Sequence, residues 1–371
     1  MAATTTSTVL IADRGGFGAR QLAASSVAAM WTVKGESTCS VSLPARDLNA
    51  FGRDEWLGSW LRWDHPTMGT WGGIVTDLSI EVSDRTAELT ASSMHRLLAF
   101  RRTPVTYRQA TAPAGALALR AIQDADSDAE PWIRTMNADL DGPMISVEWH
   151  GEPVADVVAY LAAEGGAEFD LAVAGDWSVA FTMRRQLGRD RTGSVLLVEG
   201  RDFGAGQIRR SLEGVANDVL AVANDESWRK SRKRGVVDND AVDRYGRIQA
   251  TVPLPGMGTG ITLRQQAQAE LARSSTPAVP ISIDVPARHR HVPTIAHGDT
   301  IGLWCPTADR RYAFRVVTRA TDSESGMATL SGDAVEVTTA DALAVFVAPP
   351  IDMSDTSAYG VGIYGAGVYG A

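Results

Sequence analysis

The amino-acid sequence predicts a mostly β, α+β protein. Two β domains (residues 1–105 and 204–345) flank a small α+β domain (106–203), and a Gly/Tyr-rich tail (346–371) closes the chain. Three observations carry this expectation. One stretch of sequence occurs twice, once in each outer portion. Short alternating apolar runs recur there at roughly 8–12-residue spacing, as in a β-barrel or sandwich. Helical periodicity is clearest between the two copies.

The repeated stretch is LRWDHPTMGTWGGIVTDLSIEVSDRTAELTAS from Leu61 to Ser92, and LWCPTADRRYAFRVVTRATDSESGMATLSG from Leu303 to Gly332. Setting Leu61 on Leu303 places Ile74-Val75-Thr76 on Val316-Val317-Thr318. After one dropped residue, Ala87-Glu88-Leu89-Thr90 falls on Ala328-Thr329-Leu330-Ser331. Each copy has an apolar run, a polar turn, a strand with Val-Thr, an acidic turn and a closing Ala-x-Leu strand. A weak repeat of this kind decides the architecture. Two unrelated meanders could match by chance, and strand order separates the cases.

The first β domain reads as strands over Val27–Val33, Cys39–Leu43, Trp60–Trp63, Gly73–Ile80 and Thr86–Ala91, with Lys34-Gly35-Glu36 as a turn. Ser92–Arg102 reads as a helical turn ending before Pro104. In the middle, Pro113–Asp124 has helical spacing at Leu117, Ala121 and Ile122. A strand at Ile145–Trp149 precedes a helix opened by Pro153, with a Val154, Val157, Val158, Leu161 stripe and a Gly165-Gly166 stop. Phe169–Val173 and Trp177–Phe181 alternate around Ala174-Gly175-Asp176 and predict a hairpin. In the second β domain, strands are expected at Arg209–Glu213, Asp218–Ala223, Arg247–Val252 and Val279–Val285. A long polar loop follows Ala223, and Thr262–Arg273 reads as a helix with Leu263, Ala267 and Leu271 on one face.

Bulk properties exclude several classes. A chain of 371 residues suits two to four domains, and 44% hydrophobic with 21% charged residues is globular. A net charge of −9 argues against a nucleic-acid coat. No stretch approaches the ~20 apolar residues of a membrane helix, and the N-terminus lacks a basic export signal. Cys39 and Cys305 have no metal spacing and read as two buried thiols rather than a disulfide. Ten Trp against eight Phe hints at extensive contacts.

No catalytic constellation, cofactor motif or metal set emerges, so the chain reads as non-enzymatic. Asp13-Arg14-Gly15-Gly16-Phe17-Gly18 lacks the Lys-Ser/Thr of a phosphate loop and reads as a flexible loop. His289-Arg290-His291 has no third ligand at useful spacing and reads as a polar strand end. Glu148, Asp156, Asp170 and Asp176 are close in sequence, but nothing sets two across one cleft. Two segments are candidate partner contacts. The basic run Arg229, Lys230, Arg232, Lys233, Arg234 is either a solvated loop or an electrostatic contact to an acidic subunit or passing DNA. Tyr359, Tyr364 and Tyr369 mark a Tyr-Gly-x-Gly-x repeat, either a flexible tail or a segment that orders against a partner.

The order of elements resembles the tail hub proteins of bacteriophages and related injection systems, the family of the baseplate hub and late control protein D. The resemblance rests on Ile74-Val75-Thr76 with the Ala87–Thr90 strand, the Gly151-x-Pro153 helix start with its hairpin, and Val215-Ala216-Asn217-Asp218-Val219. It continues through Asp240-x-x-Asp243-Arg244-Tyr245-Gly246 to His297-Gly298-Asp299, and covers residues 8–340. The Tyr-Gly tail is similar to the ends of minor tail proteins from phages of high-GC hosts. The resemblance implies two barrels like that of the tail tube protein. It further implies a homotrimer whose six barrels match a hexameric siphovirus tube to threefold tip proteins. The implied partners are the distal tail or tail tube protein, the tape measure protein, and tail fibre or spike proteins, around a channel that passes DNA. Its place would be the virion tail tip, after assembly in the host cytoplasm. The alternatives are a receptor- or glycan-binding minor tail protein, with Trp56, Trp60, Trp63 and Trp71 as a platform, or a component of a cell-wall hydrolase.

Overall fold

The computed structural model describes residues 7–337, apart from 14–15, 34, 51–55, 106–107, 126–132, 142–143, 225–231, 256–259 and 278. The first β portion holds β1 (Thr8–Ala12), β2 (Arg20–Leu22), β3 (Ser26–Thr32), β4 (Thr38–Pro44), β5 (Trp60–His65), β6 (Gly69–Glu81) and β7 (Thr86–Ser93). Strands β5, β6 and β7 form an antiparallel meander across polar turns, and β7 alternates buried and outward residues along its length. Strand β4 adds to β7, and β3 to β4.

The middle portion holds α1 (His95–Ala99), β8 (Arg108–Pro113), α2 (Ala114–Ala125), β9 (Ile133–Ala138), β10 (Met144–Trp149), α3 (Val154–Gly165), β11 (Glu168–Val173) and β12 (Val179–Arg184). Helix α3 buries the expected stripe of Val154, Val157, Val158 and Leu161. Each of these aliphatic side chains contributes ~1.5–3 kcal/mol when fully buried. The helix stops where Gly166 turns left-handed at φ 60°, as the Gly165-Gly166 pair predicts. The predicted hairpin is β11–β12, and β9 joins it in parallel on the β12 side. This core also takes in Trp60, Ile74, Leu97 and Leu98, so the module is packed onto the first β portion.

The last portion holds β13 (Leu196–Val198), β14 (Ala205–Ile208), β15 (Asp218–Asn224), β16 (Arg232–Val237), α4 (Asn239–Tyr245), β17 (Gln249–Pro255), α5 (Gly260–Ser274), β18 (Val279–Pro286), β19 (Thr300–Cys305), β20 (Arg310–Asp322) and β21 (Met327–Glu336). Strand order decides the question of the repeat. The path β3-β4-β7-β6-β5 in the first portion matches β14-β18-β21-β20-β19 in the second. Val41–Leu89 corresponds to Ile283–Leu330, and Trp63–Trp71 to Leu303–Tyr312. Both long strands carry a bulge at the same rung, between Val75 and Asp77 in β6 and between Val316 and Thr318 in β20.

That shared bulge corrects the alignment. The ladder matches Val75-Thr76-Asp77 to Val316-Val317-Thr318, one residue later than similarity suggests, and it matches Trp63, not Leu61, to Leu303. A bulge absorbs an extra residue without changing the strand's partner. Sequence similarity alone cannot place it.

Three further expectations need correction. No ring of strands closes among the described residues. Instead both repeats lie in one 13-stranded sheet, joined where β3 pairs antiparallel with β20. One apolar core accordingly runs through both, from Val41 and Trp63 to Ile283 and Phe314. The strands read at Asp218–Ala223 and Arg247–Val252 do not belong to that sheet. They form a separate three-stranded sheet, β16-β15-β17, with β15 and β17 parallel. Leu263 and Ala267 of α5 cover it. This insert occupies the connection between β14 and β18, where the first repeat has only the β3–β4 turn. Arg209–Glu213, read as a strand, lies outside any strand, directly after β14.

Candidate functional site

The polar groups with the most defined geometry sit at joints between modules. At the seam between repeats, Arg319 of β20 faces Trp31 of β3. Its side chain is buried, with the guanidinium carbon 5.4 Å from the Trp31 ring centre. It donates to the Ile295 carbonyl at 2.9 Å and the Thr67 carbonyl at 3.3 Å, so one side chain holds turns from both repeats. Burial pulls its pKa down to about 10, while Asp299 acts in the opposite direction. Trp63 stacks on Trp31 at 6.0 Å, and Trp71 Nε1 donates to the Met30 carbonyl at 3.0 Å. The tryptophans of this segment therefore form core. Trp56, Trp60, Trp63 and Trp71 are all buried and present no platform for a glycan.

Strand β11 is a strut between the repeats. Glu168 pairs with Arg315 of β20 at 2.7 Å. Asp170 lies 3.2 Å from His297 Nε2 of the second repeat and 3.9 Å from His95 Nε2, just past β7. Burial holds the His95 pKa below its usual value, partly offset by Asp170. Burial also pushes Asp170 up, but hydrogen bonding and charge from His297, with His95, bring its pKa below the usual carboxylate range. At the far end of the hairpin, Trp177 lies 4.9 Å from the Arg62 guanidinium. A Cβ on Gly16 would come within 2.3 Å of Trp177 Cβ. The Gly-rich loop read as flexible thus supplies a seat for Trp177.

Ser93 Oγ lies 3.0 Å from His95 Nδ1, so Ser93, His95 and Asp170 have the residue types of a hydrolytic triad. The geometry does not support that chemistry. Ser93 is buried and its Oγ already accepts the Ser37 N–H at 3.1 Å. The 3.9 Å His95–Asp170 separation exceeds a hydrogen bond. Glu148, Asp156 and Asp176 do not join Asp170 at this joint; Asp176 caps the β11–β12 turn by accepting from Ser178.

The residues most specific to the resemblance are buried brackets. Asn217 is fully buried; its Nδ2 donates to the Gly246 carbonyl and its Oδ1 accepts the Ile248 N–H, both at 2.7 Å. The Asn-Asp strand and the Tyr-Gly turn, distant in sequence, are thus one structure. Asp299 is also buried, and accepts from Arg189 N at 2.7 Å, Arg191 Nε at 2.8 Å and Ala296 N at 2.9 Å. These bonds fasten the strand-free linker after β12 to the second repeat.

His289 and His291 lie in a turn after β18, not on a strand end. His289 Nε2 is 3.2 Å from Asp202 Oδ1, and Asp202 also accepts Val198 N and is paired with Arg201. Among the described residues, no group of three or more His, Cys, Asp or Glu could hold a metal. Of the basic run, Lys233 and Arg234 lie exposed on β16, the edge of the small sheet, and Arg232 begins that strand. Charge hides the β pattern of this tract, which has the sequence of a polar loop, and charge on an edge strand discourages stray pairing. Arg229, Lys230 and the tail residues Tyr359, Tyr364 and Tyr369 lie outside the described residues. Among the described residues, no helix is long and apolar enough to cross a membrane.

In this geometry, buried polar groups tie the modules of the chain together. The fold is that of phage and prophage tail proteins. A tail protein from Neisseria meningitidis MC58 superposes with a TM-score of 0.63 at 14% identity, over 89% of this chain and 96% of that one. The 43 kDa tail protein of prophage MuSo2 from Shewanella oneidensis gives 0.63 at 13% identity, over 88% and 98%. Prophage tail protein gp18 from Listeria monocytogenes EGD-e gives 0.59 at 11% identity, over 91% and 98%. No protein-family model and no curated protein matches the sequence.

Proposed function

We propose that this chain is a structural hub of a phage tail tip and acts without catalysis. The observation that carries the reading is the matched strand order of the two repeats within a fold shared over 88–91% of the chain with tail proteins, two of them from prophages. A duplicated unit lets three chains present six similar surfaces. Such a homotrimer would join a hexameric tail tube to threefold tip proteins around a channel for DNA or the tape measure. On this reading each repeat completes a tube-like barrel only in the assembly. The partners are the distal tail or tail tube protein, the tape measure protein, and fibre or spike proteins. The protein resides in the virion after assembly in the host cytoplasm. The basic run and the Tyr-Gly tail are the segments proposed to touch those partners.

Light scattering on the purified chain, alone and with tail tube protein, tests this. The expected result is a trimer at high protein concentration that binds tube rings. A chain that stays monomeric in both conditions contradicts it.

A further inference from the structure

The two repeats differ in what covers the outward face of their matched hairpin. On β5–β6, the residues turned away from the core are Arg62, Asp64, Thr70 and Gly72. This polar face is covered. Val173 sits where a Cβ on Gly72 would lie, Arg62 donates to the Gly175 carbonyl, and Trp177 lies over its guanidinium. The matching positions on β19–β20 are Gly302, Trp304, Arg311 and Ala313. Strand β13 adds Leu196 and Val198 on one side, and β21 with its end adds Val335 and Val337 on the other. Their neighbours Leu197, Leu303, Tyr312 and Ala334 are buried in the core, so this set faces outward. The β11–β12 hairpin touches this ladder at Glu168–Arg315, on the next outward rung. Among the described residues, no strand or helix lies over the rest, and Val335 is 69% exposed. Solvation alone would leave the polar face bare and cover the apolar one; here the reverse holds.

We propose that the apolar run Leu343-Ala344-Val345-Phe346-Val347 of this same chain packs on that face. The last described residue, Val337, lies at the rim of the face, its N–H donating to the Arg311 carbonyl at 2.9 Å. Five residues, Thr338 to Ala342, separate it from Leu343. At ~3.5 Å each they span up to about 17 Å, and a patch four strands wide measures about 15 Å across. The run therefore reaches every part of the patch.

Proximity favours this occupant over a separate one. A segment joined through so short a connection meets the face at a roughly millimolar effective concentration, above that of a free partner at micromolar level. Packing there removes two apolar surfaces from water at once. Pro349-Pro350 follows the run, and proline ends the extension of a sheet. The contact also fixes the point from which the Tyr359, Tyr364 and Tyr369 repeat departs. It lies within one chain and does not depend on the hub reading.

Thiol labelling of the full chain tests this, since Cys39 and Cys305 are buried. Val335→Cys is compared with Val82→Cys in the β6–β7 turn, positions 69% and 81% exposed among the described residues. The expected result is that Val335→Cys reacts more slowly by about tenfold or more, because the cover must open first. Adding Leu343→Asp and Phe346→Asp should raise its rate to that of Val82→Cys, while circular dichroism shows the protein still folded. Equal rates for the two single variants overturn the cover. Protection that survives both aspartates also overturns it. If that protection deepens with protein concentration, a second copy occupies the face; if it does not, another segment of the chain does. None of these outcomes touches the hub reading, whose own test is the oligomeric state.

Discussion

Arg319 in the second repeat and Trp31 in the first sit opposite each other on the β20–β3 ladder, with the guanidinium over the indole ring. The same guanidinium bonds backbone carbonyls at Ile295 and Thr67, one in each repeat. Truncation to alanine leaves a cavity and two carbonyls short of a donor. Arg319→Ala should therefore cost about 3–5 kcal/mol of unfolding free energy. Arg319→Met, which keeps the volume, should cost less. Urea unfolding of both variants measures this. A loss below about 0.5 kcal/mol for the alanine variant contradicts the assigned role.

Asn217 gives a local prediction. Its amide holds Gly246 and Ile248 inside the insert, so Asn217→Ala leaves a buried carbonyl and N–H unpaired at about 1–3 kcal/mol each. Hydrogen exchange should speed up in β15, β17 and α5 while β20 and β21 keep their protection. Equal acceleration in both sheets would show that the insert is not a separate unit.

Gly188 and Gly298 cross at backbone contact. Gly298 has φ 90°, and a Cβ there would come within 2.6 Å of the Leu187 carbonyl oxygen. Gly298→Ala combines a left-handed strain with a clash and should cost about 2 kcal/mol or more. Gly175→Ala, with nothing within 4 Å, serves as a near-neutral control. Thermal melts of the two variants give the comparison.

The histidines predict an acid-labile fold. Burial lowers the pKa of His65, His95 and His291 below the usual 6.5, with Arg319, and Arg290 with His289, adding to it at His65 and His291 respectively. Each lowered value means that the unfolded chain binds the proton first. Stability is thus full above 6.5 and falls as pH drops through the folded values. Asp170, depressed below 3.8, adds a second loss at lower pH still. The melting temperature should fall between about pH 7.5 and about pH 5, and fall less steeply in His95→Gln. A flat profile in the native protein would count against the buried joint.

Cys39 and Cys305 are buried and unpaired, and burial raises both thiols, Cys305 to about 11. A thiol reagent should label neither in the folded protein and both in denaturant. Rapid labelling of the folded chain would place at least one thiol elsewhere.

Much of this fold is legible in local pattern. The meander strands, the α3 stripe with its Gly166 stop and the β11–β12 hairpin depend on alternation, helical spacing and turn residues within a few positions. What escaped depends on distant contacts. The β3–β20 seam pairs residues almost 300 positions apart, and nothing near Trp31 or Arg319 announces it. The parallel β15–β17 pair looks locally like any two strands, so nothing in the sequence separates the insert from the neighbouring sheet. Strand β16 was hidden by its charge, and the bulges at Thr76 and Val317 shifted the alignment by one residue. The motif residues Asn217, Gly246 and Asp299 were visible, but only three-dimensional placement shows that they brace the chain.

As proposed, the two repeats act as equivalent units of one ring at a tail tip. Averaged electron images of the purified assembly bound to tail tube protein test it most directly. Three chains should form a pseudo-sixfold ring of six similar lobes around an open channel, stacked coaxially on the tube. A ring with only three equivalent lobes, or the protein bound to the outside of the tube, would contradict it.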